Sequence, residues 1–271
     1  ALASGEAVVQ SAAYTLALAV LCMALATPAA YSEDALTFAH IDAAEFESVL
    51  APDDNERTVK LQAFHITTTP VTNAQFLAFV KANPAWQRGA VASVFADQSY
   101  LQDWKSATDL GPLDPGWPVT YVSWFAARAY CSSRDARLPT WYEWEWTAAA
   151  DASRQDARDD PAWRQQMLNW YARTGDTLAA VGSGQPNIHG VYDIHALVWE
   201  WVEDFGGMIV SGDNREQGDP DRLKFCGSGA LTMERREDYA VLMRIAMLSS
   251  LQARYTTANV GFRCARSSDD E

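Results

Sequence analysis

Positive charge is what this chain has least of. Its 21 Lys plus Arg stand against 35 Asp plus Glu in 271 residues, a formal net charge of −14. Neutralising a phosphate backbone takes clustered Lys and Arg, so no nucleic-acid partner is expected, and a polybasic grip on a membrane surface is excluded with it. Cysteine is scarce too. There are four, with no Cys-x-x-Cys pair and no Cys/His group at zinc spacing, and the four histidines (His40, His65, His189, His195) are scattered. A structural zinc site is not expected on that pattern. The chain also lacks internal repeats and low-complexity linkers, while 48% hydrophobic and 21% charged residues describe an ordinary globular protein with a sizeable core. Tryptophan is plentiful: eleven indole rings must fill that core or line a site.

Charge is missing altogether between Ala7 and Ser32, where Tyr14 to Leu25 forms an almost continuous apolar run followed by the small residues Ala26 to Ala30. This pattern reads as a secretory signal with its cleavage region, which predicts a periplasmic or secreted protein. A retained single-span anchor is the alternative, since the uncharged stretch is long enough to cross a bilayer, and only then is the membrane a partner. The organisation expected is therefore a signal peptide or anchor over 1–32 and one domain over 33–271. Cys22 falls in the first segment, which leaves Cys131, Cys226 and Cys264 for one disulfide and one free thiol.

Local signals place the elements. Val59 to Thr68 alternates as a strand, and Thr72 with Gln75 forms a capping box ahead of Phe76, Phe79 and Val80 at helical spacing. Ser123 is the expected N-cap of a second helix that carries Ala126, Ala129 and Tyr130 inward and ends near Asp135. Thr140 and Glu143 make another capping box, opening a helix to about Ala150, and Asp160-Pro161 starts one that runs to about Arg173. From Gly182 onward Gly, Pro, Asn and Ser recur every few residues, so this half is expected to be loop-rich with short strands. The acidic stretch Asp213 to Asp221 reads as a solvated loop, its oxygens departing from EF-hand spacing.

Four segments taken together resemble the formylglycine-generating-enzyme, or sulfatase-modifying factor, family: Phe64 to Phe76 (FHITTTPVTNAQF), Pro118 to Glu145 (PVTYVSWFAARAYCSSRDARLPTWYEWE), Asn187 to Asp204 (NIHGVYDIHALVWEWVED) and Asn259 to Cys264 (NVGFRC). The resemblance spans nearly all of residues 59–266. It implies an α+β fold related to C-type lectins, with short twisted strands, few helices and much ordered loop, and places family aromatics at Trp124, Trp144, Trp199 and Trp201. It further implies a disulfide between Cys131 and Cys264, because the family pairs the cysteine of its Ala-Tyr-Cys helix with that of its Gly-Phe-Arg-Cys end.

The same resemblance carries expectations about a site. The family's signature enzyme oxidises a substrate cysteine with oxygen, using two cysteines that hold Cu(I), but here Leu231 and Arg236 fall at those positions. Neither side chain binds copper. Trp201, Ser228 and Asn259 correspond to family pocket residues, although Trp201 is equally readable as core and Asn259 as a turn residue. Cys226 stands beside that pocket, either as a small buried residue or, with Met208, Met233, Met243 and Met247, as part of a soft set suited to Cu(I). Family members hold structural calcium through a Gly-Asn-Val-Trp-Glu segment. Glu200 is kept here, while Ala196-Leu197 replaces Gly-Asn.

Two functional classes follow. One is an exported accessory or maturation factor that binds a client protein or small molecule without making formylglycine. The other is a periplasmic oxidoreductase in which Glu234, Glu237, Arg244 and Arg254 supply acid/base and binding groups.

Overall fold

The computed structural model describes residues 35–50, 58–171, 178–206 and 239–268, all within the unit Glu33–Glu271. Short strands and a few helices alternate with long ordered loops, the α+β architecture implied by the resemblance. The strands are β1 (Phe38–Ile41), β2 (Ala44–Glu47), β3 (Thr58–Leu61), β4 (Phe64–Thr67), β5 (Trp199–Trp201), β6 (Val260–Phe262) and β7 (Ala265–Ser267). The helices are α1 (Asn73–Ala82), α2 (Trp124–Ser132), α3 (Trp141–Ala149), α4 (Pro161–Tyr171) and α5 (Tyr239–Ser249).

The sheets are small. Strands β1, β4 and β7 form an antiparallel sheet with β4 central, β2 and β3 form a hairpin-like pair, and β5 runs parallel to β6 with Trp199 opposite Val260 and Trp201 opposite Phe262. The single strand expected over Val59 to Thr68 is two strands in two different sheets, broken at Gln62-Ala63. The phase of the apolar positions slips by one residue at the break, from Val59, Leu61 and Ala63 to Phe64 and Ile66, and that slip accompanies the change of partner.

Local rules hold at the helix starts. The Gln75 amide N–H donates to Thr72 Oγ1 at 3.2 Å while Gln75 Oε1 accepts from the Thr72 N–H at 3.0 Å, a complete capping box. Thr140 and Glu143 repeat it at the head of α3, and Ser123 Oγ accepts from the Ala126 N–H at 3.1 Å at the head of α2. Helix α2 stops at Ser132, three residues before the expected end, and Asp135 turns the chain at φ 51°. Helix α5 lies in the half expected to hold only loops and short strands. Its segment YAVLMRIAMLS is too uniformly apolar for a period to separate helix from buried strand.

The core gathers Phe76, Phe79, Tyr130 and Phe262 into one aromatic cluster, with ring centroids 5.4 to 6.0 Å apart. Helix α3 is buried on nearly every face, so its two buried carboxylates need partners. Glu143 pairs with Arg137 through two contacts of 2.6 Å. Glu145 accepts from Ser48 Oγ, the Val49 N–H and Trp141 Nε1, and lies 3.5 Å from Arg158. A disulfide joins Cys131 at the end of α2 to Cys264, between β6 and β7, with Cα atoms 5.6 Å apart. It closes a separation of 133 residues, and the pairing is the one the resemblance implied.

Candidate functional site

Strand β6 begins with Val260-Gly261-Phe262, and the glycine is required by a close approach: a Cβ there would lie 2.8 Å from the Val119 carbonyl oxygen. That approach lets β6 tuck in beside β5, and the pair brings together three distant parts of the sequence. Trp201 points into the core, fully buried, with Nε1 donating to the Val122 carbonyl at 3.0 Å and its ring 5.1 Å from Phe205. Asn259 lies at the opposite, exposed end of the pair. Its carbonyl accepts the Trp199 N–H at 2.8 Å and its side chain accepts from Thr257 Oγ1 at 3.0 Å. The two expected pocket residues therefore share one strand pair but serve different surroundings. Ser228, Cys226, Glu234 and Glu237 lie outside the described residues, as do Met208, Met233 and the stretch Asp213 to Asp221. The side chain of Met247 packs partly buried against the core.

Beside Trp201, Glu200 anchors a buried charge cluster. Its carboxylate accepts from Arg263 Nε at 3.0 and 2.9 Å, from Arg263 Nη2 at 2.8 Å and from Trp144 Nε1 at 2.7 Å, with both charged side chains fully shielded from solvent. Arg263 also donates to the carbonyls of Thr67 and Tyr192, each at 3.0 Å. Arg244, on α5, is buried as well, stacks 3.4 Å above the Trp144 ring and donates to the Glu200 carbonyl at 2.5 Å. The arrangement is structural. With its oxygens committed to donors and two guanidinium groups alongside, Glu200 does not fit as a calcium ligand, and no group of three or more His, Cys, Asp or Glu side chains converges on a metal position among the described residues.

Arg254 has a different setting. Exposed, it lines a polar cavity of about 640 Å³ together with Arg88, Asp97 and Tyr100, and its Nε lies 3.5 Å from Gln252 Oε1. Asp97 is held there by Thr256 Oγ1 at 2.5 Å and by the Ser99 N–H at 3.0 Å. Burial pushes the Tyr100 hydroxyl far above its usual range, so it stays protonated.

A second cavity, of about 470 Å³, was not foreseen. Helix α4 forms one wall with Trp163, Met167 and Trp170, which at i, i+4 and i+7 share one helical face. The loop ahead of β5 forms the other with Asp193 and His195. Aromatic contacts tie this cavity to the buried cluster: His195 meets Trp163 edge-on at 5.4 Å and Trp144 at 5.7 Å, while Trp170 meets Trp199 of β5 at 5.4 Å. The α4 stripe was legible in the sequence, but such a stripe signals core packing just as well. Its opposite wall comes from more than twenty residues along the chain.

Burial drives the His195 imidazole down to about 4, against the pull of the Ala148 carbonyl that lies 2.6 Å from Nε2. Burial also lifts the Asp193 carboxyl above its ordinary value, although its Oδ2 accepts the Gly182 N–H at 2.6 Å.

Comparison with known proteins adds a lineage to this geometry. A family model, the Sulfatase-modifying factor enzyme 1-like domain, matches residues 31–268. The formylglycine-generating enzyme of Streptomyces coelicolor is 31% identical over an alignment that covers 80% of this chain and 83% of that enzyme. The hercynine oxygenase of Mycobacterium tuberculosis is 32% identical over an alignment that covers 55% of this chain and 40% of that protein. Among solved structures, PvdO from Pseudomonas aeruginosa superposes with a TM-score of 0.49 at 17% identity, over 86% of this chain and 95% of its own.

Proposed function

Because the chain belongs to the sulfatase-modifying factor enzyme 1-like family, we propose that it acts as an exported accessory or maturation factor. On this reading it holds a client protein or small molecule and does not make formylglycine by the copper–dithiolate route. The observation that carries the reading is the fate of the cysteines. Cys131 and Cys264 are spent on each other, Cys22 belongs to the apolar leader, and Leu231 and Arg236 occupy the two positions at which the resemblance puts copper ligands. A Cu(I) dithiolate needs two thiolates on one wall, and Cys226 alone supplies one. The residues do not fit the metal. Export is supported by the uncharged segment ahead of Ser32.

The experiment is direct. A sulfatase-type Cys peptide is incubated with the protein, with and without added copper, and the products are read by mass spectrometry. No aldehyde above the control without protein is expected, and its appearance would overturn the reading.

A second reading, a periplasmic oxidoreductase acting on a small molecule or peptide, draws support from one placement. Arg254 and Arg88 share a polar cavity with Asp97, a charged donor–acceptor set of the kind that binds and orients a substrate, while the Tyr100 hydroxyl in its wall is spent on the Trp86 carbonyl at 3.0 Å. Arg244 is too deeply buried to join it.

A further inference from the structure

We propose that the cavity between α4 and the loop ahead of β5, walled by Trp163, Met167, Trp170, Asp193 and His195, binds a primary organic ammonium ion carried on an apolar or aromatic body. The proposal rests on the reading of the chain as a holder of a client or small molecule, and adds the chemical class.

Each wall offers electron density. Trp163 and Trp170 present indole rings, whose faces attract cations, and Met167 between them adds a polarisable apolar surface. Opposite them, Asp193 contributes a carboxylate anchored through Oδ2 by the Gly182 N–H. The state of His195 follows from geometry. A carbonyl oxygen can only accept, so the ring nitrogen 2.6 Å from the Ala148 oxygen must carry the proton and donate it. In the neutral ring Nδ1 then carries the lone pair, and that atom is buried without a partner among the described residues. Burial keeps the ring neutral at physiological pH, so His195 brings no positive charge of its own to the cavity wall.

Nothing on the described walls would balance an anion. No Lys or Arg is among the lining residues; Arg263 and Arg244, which act through space on Asp193 and His195, are buried behind the wall on Glu200, and Asp151 is already paired with Arg154. A carboxylate ligand would meet Asp193 and the indole rings with no lining countercharge, whereas an ammonium ion meets a carboxylate and π density together. The excess of acidic residues over the whole chain draws cations toward the surface as well. The size also fits: about 470 Å³ lies in the range that encloses small organic ligands.

The test titrates the full chain with benzylammonium chloride, benzyl alcohol and sodium benzoate, three probes with one ring and three different head groups. Binding is followed by indole fluorescence and calorimetry near neutral pH, where an alkylamine is protonated. Benzylammonium should bind at least about tenfold more tightly than benzyl alcohol, and benzoate should not bind. Asp193→Asn is the discriminating variant. Asn tolerates the left-handed backbone, φ 59°, that Asp193 adopts and keeps an oxygen for the Gly182 N–H, so the change removes charge with little else. It should lower benzylammonium affinity about tenfold and leave benzyl alcohol unchanged, whereas Trp170→Leu should weaken both. Thermal unfolding of each variant confirms that it is folded. Benzoate binding as tightly as benzylammonium, absence of benzylammonium binding at millimolar concentration, or an unaltered preference in folded Asp193→Asn would each overturn the proposal. Such a failure leaves the cysteine argument standing, and aldehyde formation in the peptide assay would overturn that argument without touching this titration.

Discussion

Replacing Glu200 by Gln is the sharpest test of how this fold is held together. The carboxylate takes four hydrogen bonds, three from Arg263 and one from Trp144 Nε1, where both charged side chains are fully buried. Gln keeps the shape and one acceptor oxygen, but turns an amide N–H₂ toward donors and leaves the Arg263 charge with neutral acceptors alone, the remaining amide oxygen and the Thr67 and Tyr192 carbonyls. Breaking a buried ion pair from one side costs about 3 to 5 kcal/mol, which in a domain of this size lowers the thermal midpoint by roughly 6 to 20 °C. Urea denaturation followed by indole fluorescence and far-UV circular dichroism measures the loss. The double variant Glu200→Leu with Arg263→Met removes both charges, so its cost should fall short of the sum of the two single variants by about 2 kcal/mol or more. A loss below about 1 kcal/mol for Glu200→Gln, or strict additivity in the cycle, would refute the assignment of this pair as the buried tie between β5 and the segment after β6.

Two further outcomes follow from buried groups. Replacing Cys131 and Cys264 together by Ser should cost about 5 kcal/mol, the chain-entropy value for a separation of 133 residues, and a urea midpoint unmoved by the change would show that the bond does not constrain the unfolded chain. His195 and Glu145 should oppose each other in pH dependence. His195, driven down to about 4 by burial in the neighbourhood of Trp144, Trp163, Arg244, Arg263 and Glu200, contributes stability that is complete above the unfolded value of 6.5 and is lost as pH falls through 4. Glu145, raised by burial to about 7 against the pull of Ser48, Val49, Arg158 and Trp141, contributes stability that is complete below 4.5 and is lost as pH rises through 7. Between about pH 4.5 and 6.5 each slope is about 1.4 kcal/mol per unit and the two cancel. In His195→Gln one slope is gone, so the difference between variant and parent stability should change steadily across that window. A constant difference would show that His195 is not held neutral.

Much of the local structure could be read from the chain because its causes lie within a few residues. The Thr72–Gln75 and Thr140–Glu143 boxes and the Ser123 cap join residues three apart, so the same side chains that announce a helix also satisfy its first amides. Helix α4 starts at Pro161, where Asp160-Pro161 placed it. Helix α5 was hidden because a continuous apolar segment carries no phase, whereas the break at Gln62-Ala63 leaves only a one-residue slip in the apolar phase between Val59 and Phe64 to mark the change of sheet.

The sequence by itself settled the supply of chemistry. Four cysteines at these positions cannot furnish a dithiolate at Leu231 and Arg236, and the four family segments in order imply both the fold and the Cys131–Cys264 pair. The tertiary structure alone decided how that chemistry is deployed. Whether an indole is core or wall depends on what packs against it: Trp201 is sealed by Val122 and Phe205, whereas Trp163 and Trp170 face a cavity completed by Asp193 and His195. Likewise Glu200 is a site carboxylate or a buried tie according to which cation reaches it, and that cation, Arg263, lies 63 residues away. Interactions of this kind depend on distance in space and dielectric surroundings, neither of which is carried by position along the chain.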